Sequence, residues 1–152
     1  MEENFKMLAK TFYGFEEILE KELLQLGAKN VIKGNRFVSF EGDKGFMYKT
    51  NLSLRTALKI LKPIYSERIQ NENGLYELFY NFPWEDYMDV NSKFVIDSVV
   101  NGEIFTHSQY TSQKAKDGLV DQFRDRYNER PSVDLNRPDL RINLHIQNDL
   151  CT

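Results

Sequence analysis

The chain has few of the residues that staple, ligate or punctuate a fold. Among 152 residues there is one cysteine, Cys151, so no internal disulfide can form. The two histidines, His107 and His145, stand too far apart in sequence to give a metal-ligand spacing. Four prolines occur singly at 63, 83, 131 and 138, which excludes a proline-rich linker and an Asn-Pro-Pro-aromatic motif. The eight glycines never fall as G-x-G, so the glycine-rich turn that usually cradles a phosphate or cofactor is missing. No apolar run approaches the roughly 20 residues needed to cross a bilayer. The acidic start, Met1-Glu-Glu-Asn, is unlike a secretory leader. These absences point to a soluble cytoplasmic chain without catalytic or metal-binding motifs of its own.

Positive charge is also scarce, since the net charge is −3. Its distribution is uneven. Residues 1–66 hold 11 Lys/Arg against 8 Asp/Glu, residues 67–106 hold 2 against 8, and residues 107–152 hold 7 against 7. Nucleic-acid binding needs a local basic surface and not a basic protein, because screening limits the reach of surface charge to about 8–10 Å at physiological salt. The charge balance therefore permits RNA binding without pointing to it.

What is present is a core. Hydrophobic residues make up 41% of the chain and aromatics 13%, enough for one ordinary domain or two small ones. Phe5 to Lys10 reads as a short strand. Gly14 then opens a helix with Phe15, Ile18, Leu19, Leu23 and Leu26 at helical spacing and Gly27 as its C-terminal cap. Asn30–Lys33 and Arg36–Phe40 form a hairpin across Gly34-Asn35, and Asp43 caps a helix through about Thr50. Thr56–Ile69, interrupted by Pro63, reads as one long edge strand. Strand, helix, hairpin, helix, strand is a ferredoxin-like order.

An acidic stretch, 67–92, marks a change of region. Tyr76–Phe82 reads as a helix closed by Pro83-Trp84, and Lys93–Val100 as a strand. A long helix spans about Ser108–Asn128, and two strands, Ser132–Leu135 and Arg141–Gln147, close the chain. The fold class is therefore α/β (α+β) in two units, 1–66 and 67–152. On the long helix, Ala115, Leu119, Val120, Phe123 and Tyr127 form an apolar stripe, with Asp117, Asp121, Asp125 and Asn128 on a solvated face opposite. Lys116 falls inside the stripe. Either its stem packs while its ammonium snorkels, or it joins Gln109, Gln113 and the N–H groups of the helix start to hold a phosphate.

Several segments carry a resemblance. Phe12-Tyr-Gly-Phe-Glu-Glu-Ile-Leu-Glu-Lys-Glu-Leu-Leu-Gln-Leu-Gly27-Ala, Arg36-Phe-Val-Ser-Phe-Glu-Gly42 and Tyr48-Lys-Thr-Asn-Leu-Ser-Leu-Arg55-Thr-Ala are similar to the N-terminal region of bacterial large-subunit rRNA guanine-N2 methyltransferases. Thr106-His-Ser-Gln-Tyr, Lys116-Asp-Gly-Leu-Val-Asp-Gln-Phe-Arg124 and Arg137-Pro-Asp-Leu-Arg141-Ile-Asn-Leu-His-Ile resemble the THUMP part of the same family. The resemblance implies an N-terminal ferredoxin-like unit packed with a THUMP domain that grips RNA. It further implies a separate catalytic domain, absent here, that transfers methyl from S-adenosylmethionine to guanine N2, and a further THUMP strand beyond Thr152.

Its implied partner is structured RNA, in particular 23S rRNA. The RNA-contacting residues that it implies are Lys116, Arg55 and Arg141; Arg124, Gln109 and Gln113 are further candidates. Arg55 could instead anchor one unit on the other, and Arg141 could pair with an aspartate such as Asp139. Gly118, where the family often has alanine, costs helix stability of about 1 kcal/mol. A sheet short of a strand would expose an edge to pairing between chains. The competing class is a protein-docking module using the acidic and aromatic 67–92 surface, with Tyr76, Phe79, Tyr80, Phe82 and Trp84. Few exposed aromatic stacking platforms are evident, so recognition by RNA shape and backbone is expected over single-strand reading of bases.

Overall fold

The computed structural model describes residues 3–152, so part of the acidic start, Met1 and Glu2, lies outside the described residues. The chain divides into two compact units, Met1–Ile64 and Tyr65–Thr152.

The first unit runs β1 (Phe5–Lys10), α1 (Glu16–Leu26), β2 (Lys29–Lys33), β3 (Phe37–Gly42), α2 (Lys44–Ser53) and β4 (Lys59–Leu61). The strands lie in the order β2-β3-β1-β4, antiparallel throughout, which is the ferredoxin-like sheet. Gly27, at φ 98°, ends α1 and sends its N–H back to the Leu23 and Leu24 carbonyls. Asp43 starts α2 by accepting from the Phe46 N–H at 2.7 Å. Met7, Ala9, Leu19, Leu23, Val38 and Phe40 form the core; each large apolar side chain contributes about 1.5–3 kcal/mol when fully buried.

Only part of the expected α1 stripe goes inward, since Phe15 and Ile18 are exposed. The hairpin also departs from expectation. Its left-handed residue is Arg36 (φ 63°), whose N–H donates to Glu16 Oε1 at 2.9 Å. Gly34 is needed for space, because a methyl group there would overlap the Phe37 ring.

The expected long strand over 56–69 does not exist. Its two ends, β4 and β5 (Glu67–Arg68), lie in different sheets. Pairing with β1 stops at Leu61 (Leu8↔Leu61), and Pro63 has no N–H with which to continue a ladder.

The second unit contains β5, α3 (Glu72–Asn81), a 3-10 turn (Trp84–Asp86), β6 (Lys93–Asn101), α4 (Ser108–Tyr127), β7 (Ser132–Val133), β8 (Leu140–Gln147) and β9 (Leu150–Cys151). The sheet order is β5-β9-β8-β6-β7, with β6 parallel to both β7 and β8. The helix before Trp84 starts earlier than Tyr76, because the Asn71 side chain accepts from the Gly74 N–H at 2.8 Å. The strand expected over 132–135 ends at Val133, because the Asp134 carboxylate turns the chain by accepting from the N–H groups of Asn136 and Arg137.

Cys151 lies on a strand. It is 2% exposed on β9, packed in the core with Leu75, Phe94, Leu119, Phe123, Leu144 and Ile146, and burial pushes its thiol up to about 12. No helix among the described residues is long and apolar enough to cross a membrane.

Candidate nucleic-acid interface

The start of α4 is fixed from below by β6. Ser98 Oγ donates to the Ser108 carbonyl at 2.7 Å and also contacts the Ser112 hydroxyl, while Thr111 Oγ1 donates to the His107 carbonyl at 2.9 Å. From this anchored turn, positions 109, 113 and 116 follow one another along a single edge of the helix. Gln109 and Gln113 are exposed there, and Lys116 is half-buried, its ammonium 3.0 Å from Asp117 Oδ1. Lys116 is thus partly buried with its charge already paired to a neighbouring carboxylate. A cleft of 390 Å³ lined by Asn71, Glu72, Asn73, Ile104 and Lys114 opens beside the start of α3.

The remaining candidates are dispersed. Arg124 Nη1 pairs with Asp121 Oδ1 at 2.9 Å, one turn back on α4. Arg141 pairs with Asp97 of β6 at 2.7 Å and not with Asp139, whose carboxylate instead accepts from the Lys93 N–H. Because Ile142, Leu144 and Ile146 face the helices, Arg141 lies on the other face of the sheet from α4. Arg55 belongs to the first unit, is exposed, and donates its backbone N–H to Glu22. Within the second unit, the start of α4 brings Gln109, Gln113 and Lys116 into one patch.

The acidic face of α4 is a helix–helix seam and not merely solvated. Tyr76 of α3 donates its hydroxyl to Asp121 at 2.9 Å, and Tyr80 donates to Asp125 at 2.8 Å. Burial, then the Asp121 hydrogen bond, raises the Tyr76 phenol to about 12, and the Asp125 contact raises Tyr80. Gly118 explains the closeness. A methyl there would stand 2.5 Å from the Tyr76 carbonyl oxygen, so the glycine lets α3 and α4 touch through their backbones.

One important residue escaped sequence reasoning, the buried Gln122. Its Nε2 donates to the Tyr80 and Phe82 carbonyls at 2.5 and 2.6 Å, satisfying the end of α3. A polar residue adjoining the buried stripe was the available signal.

The aromatics expected for protein docking are largely internal. Phe79 and Trp84 are buried, and the Trp84 indole N–H donates to the Phe79 carbonyl at 2.7 Å. The expectation that stacking platforms are few is overturned elsewhere, in the first unit: Phe12 and Tyr13 are 62% and 76% exposed, with Phe15 and Tyr48 also open to solvent.

Comparison with known proteins follows the same division. Residues 70–152 match the THUMP domain and residues 6–61 the RlmL ferredoxin-like domain. The chain is 35% identical over all 152 residues to the ribosomal RNA large subunit methyltransferase K/L of Syntrophotalea carbinolica, of which it spans 21%. A solved structure described as a possible methylase from Clostridium difficile superposes with a TM-score of 0.80 at 20% identity, covering 98% of this chain and 40% of that one. A 4-thiouridine synthetase in complex with RNA and ATP shares the fold at a TM-score of 0.56 and 11% identity, covering 98% of this chain and 40% of that one.

Proposed function

The chain belongs to the THUMP family, with an RlmL-type ferredoxin-like domain before the THUMP domain, and on that premise we propose that it is the RNA-gripping, substrate-delivery region of an rRNA methyltransferase. The observation that carries the proposal is the 35% identity running through both units, in order, to a ribosomal RNA large subunit methyltransferase of which this chain spans about a fifth. In the finer form of the proposal the parent transfers methyl from S-adenosylmethionine to guanine N2 of 23S rRNA.

In this reading the methyl donor binds outside these residues. The connection from β6 to α4, where a parallel strand feeds a helix, does not suit such a cofactor. Its single glycine, Gly102, packs against Asn148, where an added methyl would fall 2.8 Å from Asn148 Cα, and the buried Phe105 fills the loop. The chain's own share of the work is binding and orientation. The edge formed by Gln109, Gln113 and Lys116 supplies amide and ammonium donors beside the exposed N–H groups of the α4 start, and such donors position a phosphate without reading sequence.

The test is binding of the 152-residue chain to structured large-subunit rRNA segments, titrated from low to physiological salt with tRNA as competitor. Salt-sensitive binding that survives the competitor is expected. Absence of binding even at low salt would overturn the RNA-gripping reading for this chain.

A further inference from the structure

The two units treat their cations differently. Six of the nine Lys and Arg residues in the second unit lie in ion pairs, those at 68, 93, 116, 124, 126 and 141. Of the eleven in the first, only Lys33 does so among the described residues, with Glu17 at 3.2 Å. Several of the others share a surface. Met7, Ala9, Val38, Phe40 and Ile60 point into the core with side chains of α1 and α2. By strand alternation, Lys6, Leu8 and Lys10 of β1, Phe37, Ser39 and Glu41 of β3, and Lys59 and Leu61 of β4 occupy the opposite face.

Lys10 and Lys59 are direct cross-strand partners on that face. Like charges so placed repel and destabilise the pair. Partial burial, and then the neighbouring Lys59, hold the Lys10 ammonium below its usual value. The Phe37 ring, 5.5 Å from Lys10 Nζ, offers a partial electrostatic partner. The single carboxylate that these three strands carry on this side, Glu41, sits opposite Lys6 and accepts from Asn30 Nδ2 at 2.7 Å, with no ion pair to these lysines among the described residues. Lys6 and Lys10, four residues apart on an extended strand, stand about 13 Å apart along it. That is an elongated array of positive charge, better matched to a chain of phosphates than to one small anion.

We propose that this open sheet face, centred on Lys10 and Lys59 with Lys6 at its flank, binds the phosphodiester backbone of RNA. The proposal rests on the RNA-gripping reading above and gives it a second surface, in the first unit. Leu8, Leu61 and the exposed Ile32 supply apolar contact beside the lysines. The like-charge repulsion within the free sheet is relieved when phosphates enter.

The experiment uses the 152-residue chain and a fluorescein-labelled RNA hairpin, read by anisotropy across a salt series. Replacing both lysines (Lys10→Gln with Lys59→Gln) is expected to weaken binding about tenfold and to make the slope of log K against log salt shallower by about 2. The melting temperature should hold or rise, because repulsion has been removed. Lys59→Glu, which gives Lys10 a cross-strand counter-charge, should likewise lower affinity while raising the melting temperature. Salt-dependent binding by the wild type with the same affinity and slope in both variants would overturn this face and leave the RNA-gripping reading standing. No binding by the wild type at low salt would overturn both.

Discussion

The first unit carries 11 Lys/Arg against 8 Asp/Glu and, among the described residues, ion-pairs one of those cations; the second carries 9 against 15 and ties most of its cations down. The THUMP match falls on the acidic unit, while most cations without an ion pair among the described residues sit on the ferredoxin-like one. The contrast teaches that an anionic ligand meets different costs on the two surfaces. On α4, Lys116 and Arg124 must share or surrender Asp117 and Asp121. On the open sheet face no ion pair of Lys10 or Lys59 stands among the described residues, and under the proposal above a repulsion between them is relieved. The units also differ in how they are packed. The first lays two helices on one side of a sheet, whereas the second adds a helix–helix seam held by Gly118, Gln122 and two tyrosine–aspartate bonds.

The largest expected effect attacks that seam. Gln122→Ala removes the donor to the Tyr80 carbonyl and one of the two donors to that of Phe82, which keeps the Trp84 N–H, and it empties a buried site. It should cost roughly 2–4 kcal/mol, read as a lower urea midpoint by Trp84 fluorescence. Because the chain's only tryptophan lies in the second unit, that signal reports this unit directly. An unchanged midpoint would mean that the end of α3 does not depend on Gln122.

Next in size, Gly118→Ala should destabilise by roughly 1–3 kcal/mol through overpacking against the α3 backbone, although alanine is the better helix former by about 1 kcal/mol. A stabilised variant would show that the close approach is not needed. The effect on RNA of Lys116→Gln combined with Arg124→Gln should be smaller than that of the paired Lys10 and Lys59 substitutions, about two- to threefold in affinity, since both side chains begin partly neutralised. Equal or larger losses on α4 would reverse the comparison between the units.

The smallest effect is a pH dependence. The folded Tyr76 phenol is raised to about 12 from the ordinary value near 10, so its contribution to stability is complete below pH 10 and is lost as pH rises from about 10 towards 12. Tyr76→Phe should flatten the urea midpoint across that window, and an unaltered profile would remove Tyr76 as its source.

The order of elements was legible because local rules decided it. Gly27, Asp43 and the nine-residue strand β6 fall where capping and apolar patterning put them. The failures have one cause in common. Whether residues 56–69 form one strand or two depends on which sheets receive the ends, and Pro63 marks only where continuity is weak. No strand was expected at β9, because two residues, Leu150 and Cys151, are too short a run to announce one. Only pairing with both β8 and β5 makes one. The candidate site was less legible than the fold. Lys116 was conspicuous by its place in an apolar stripe, but the Arg141 pairing with Asp97 joins strands that are distant in sequence.

By itself, then, the sequence determined the two α/β units, the helix caps at Gly27 and Asp43 and the resemblance of each unit, because hydrophobic period, turn chemistry and motif order are properties of neighbouring residues. Apart from local pairs such as Arg124–Asp121 on one helix, tertiary structure decided which charges are neutralised and which stand opposed. Ion pairs such as Arg126–Glu85 and like-charge neighbours such as Lys10 and Lys59 link residues about 40 to 50 positions apart. Coulombic interaction depends on distance in space, which sheet register and helix packing set.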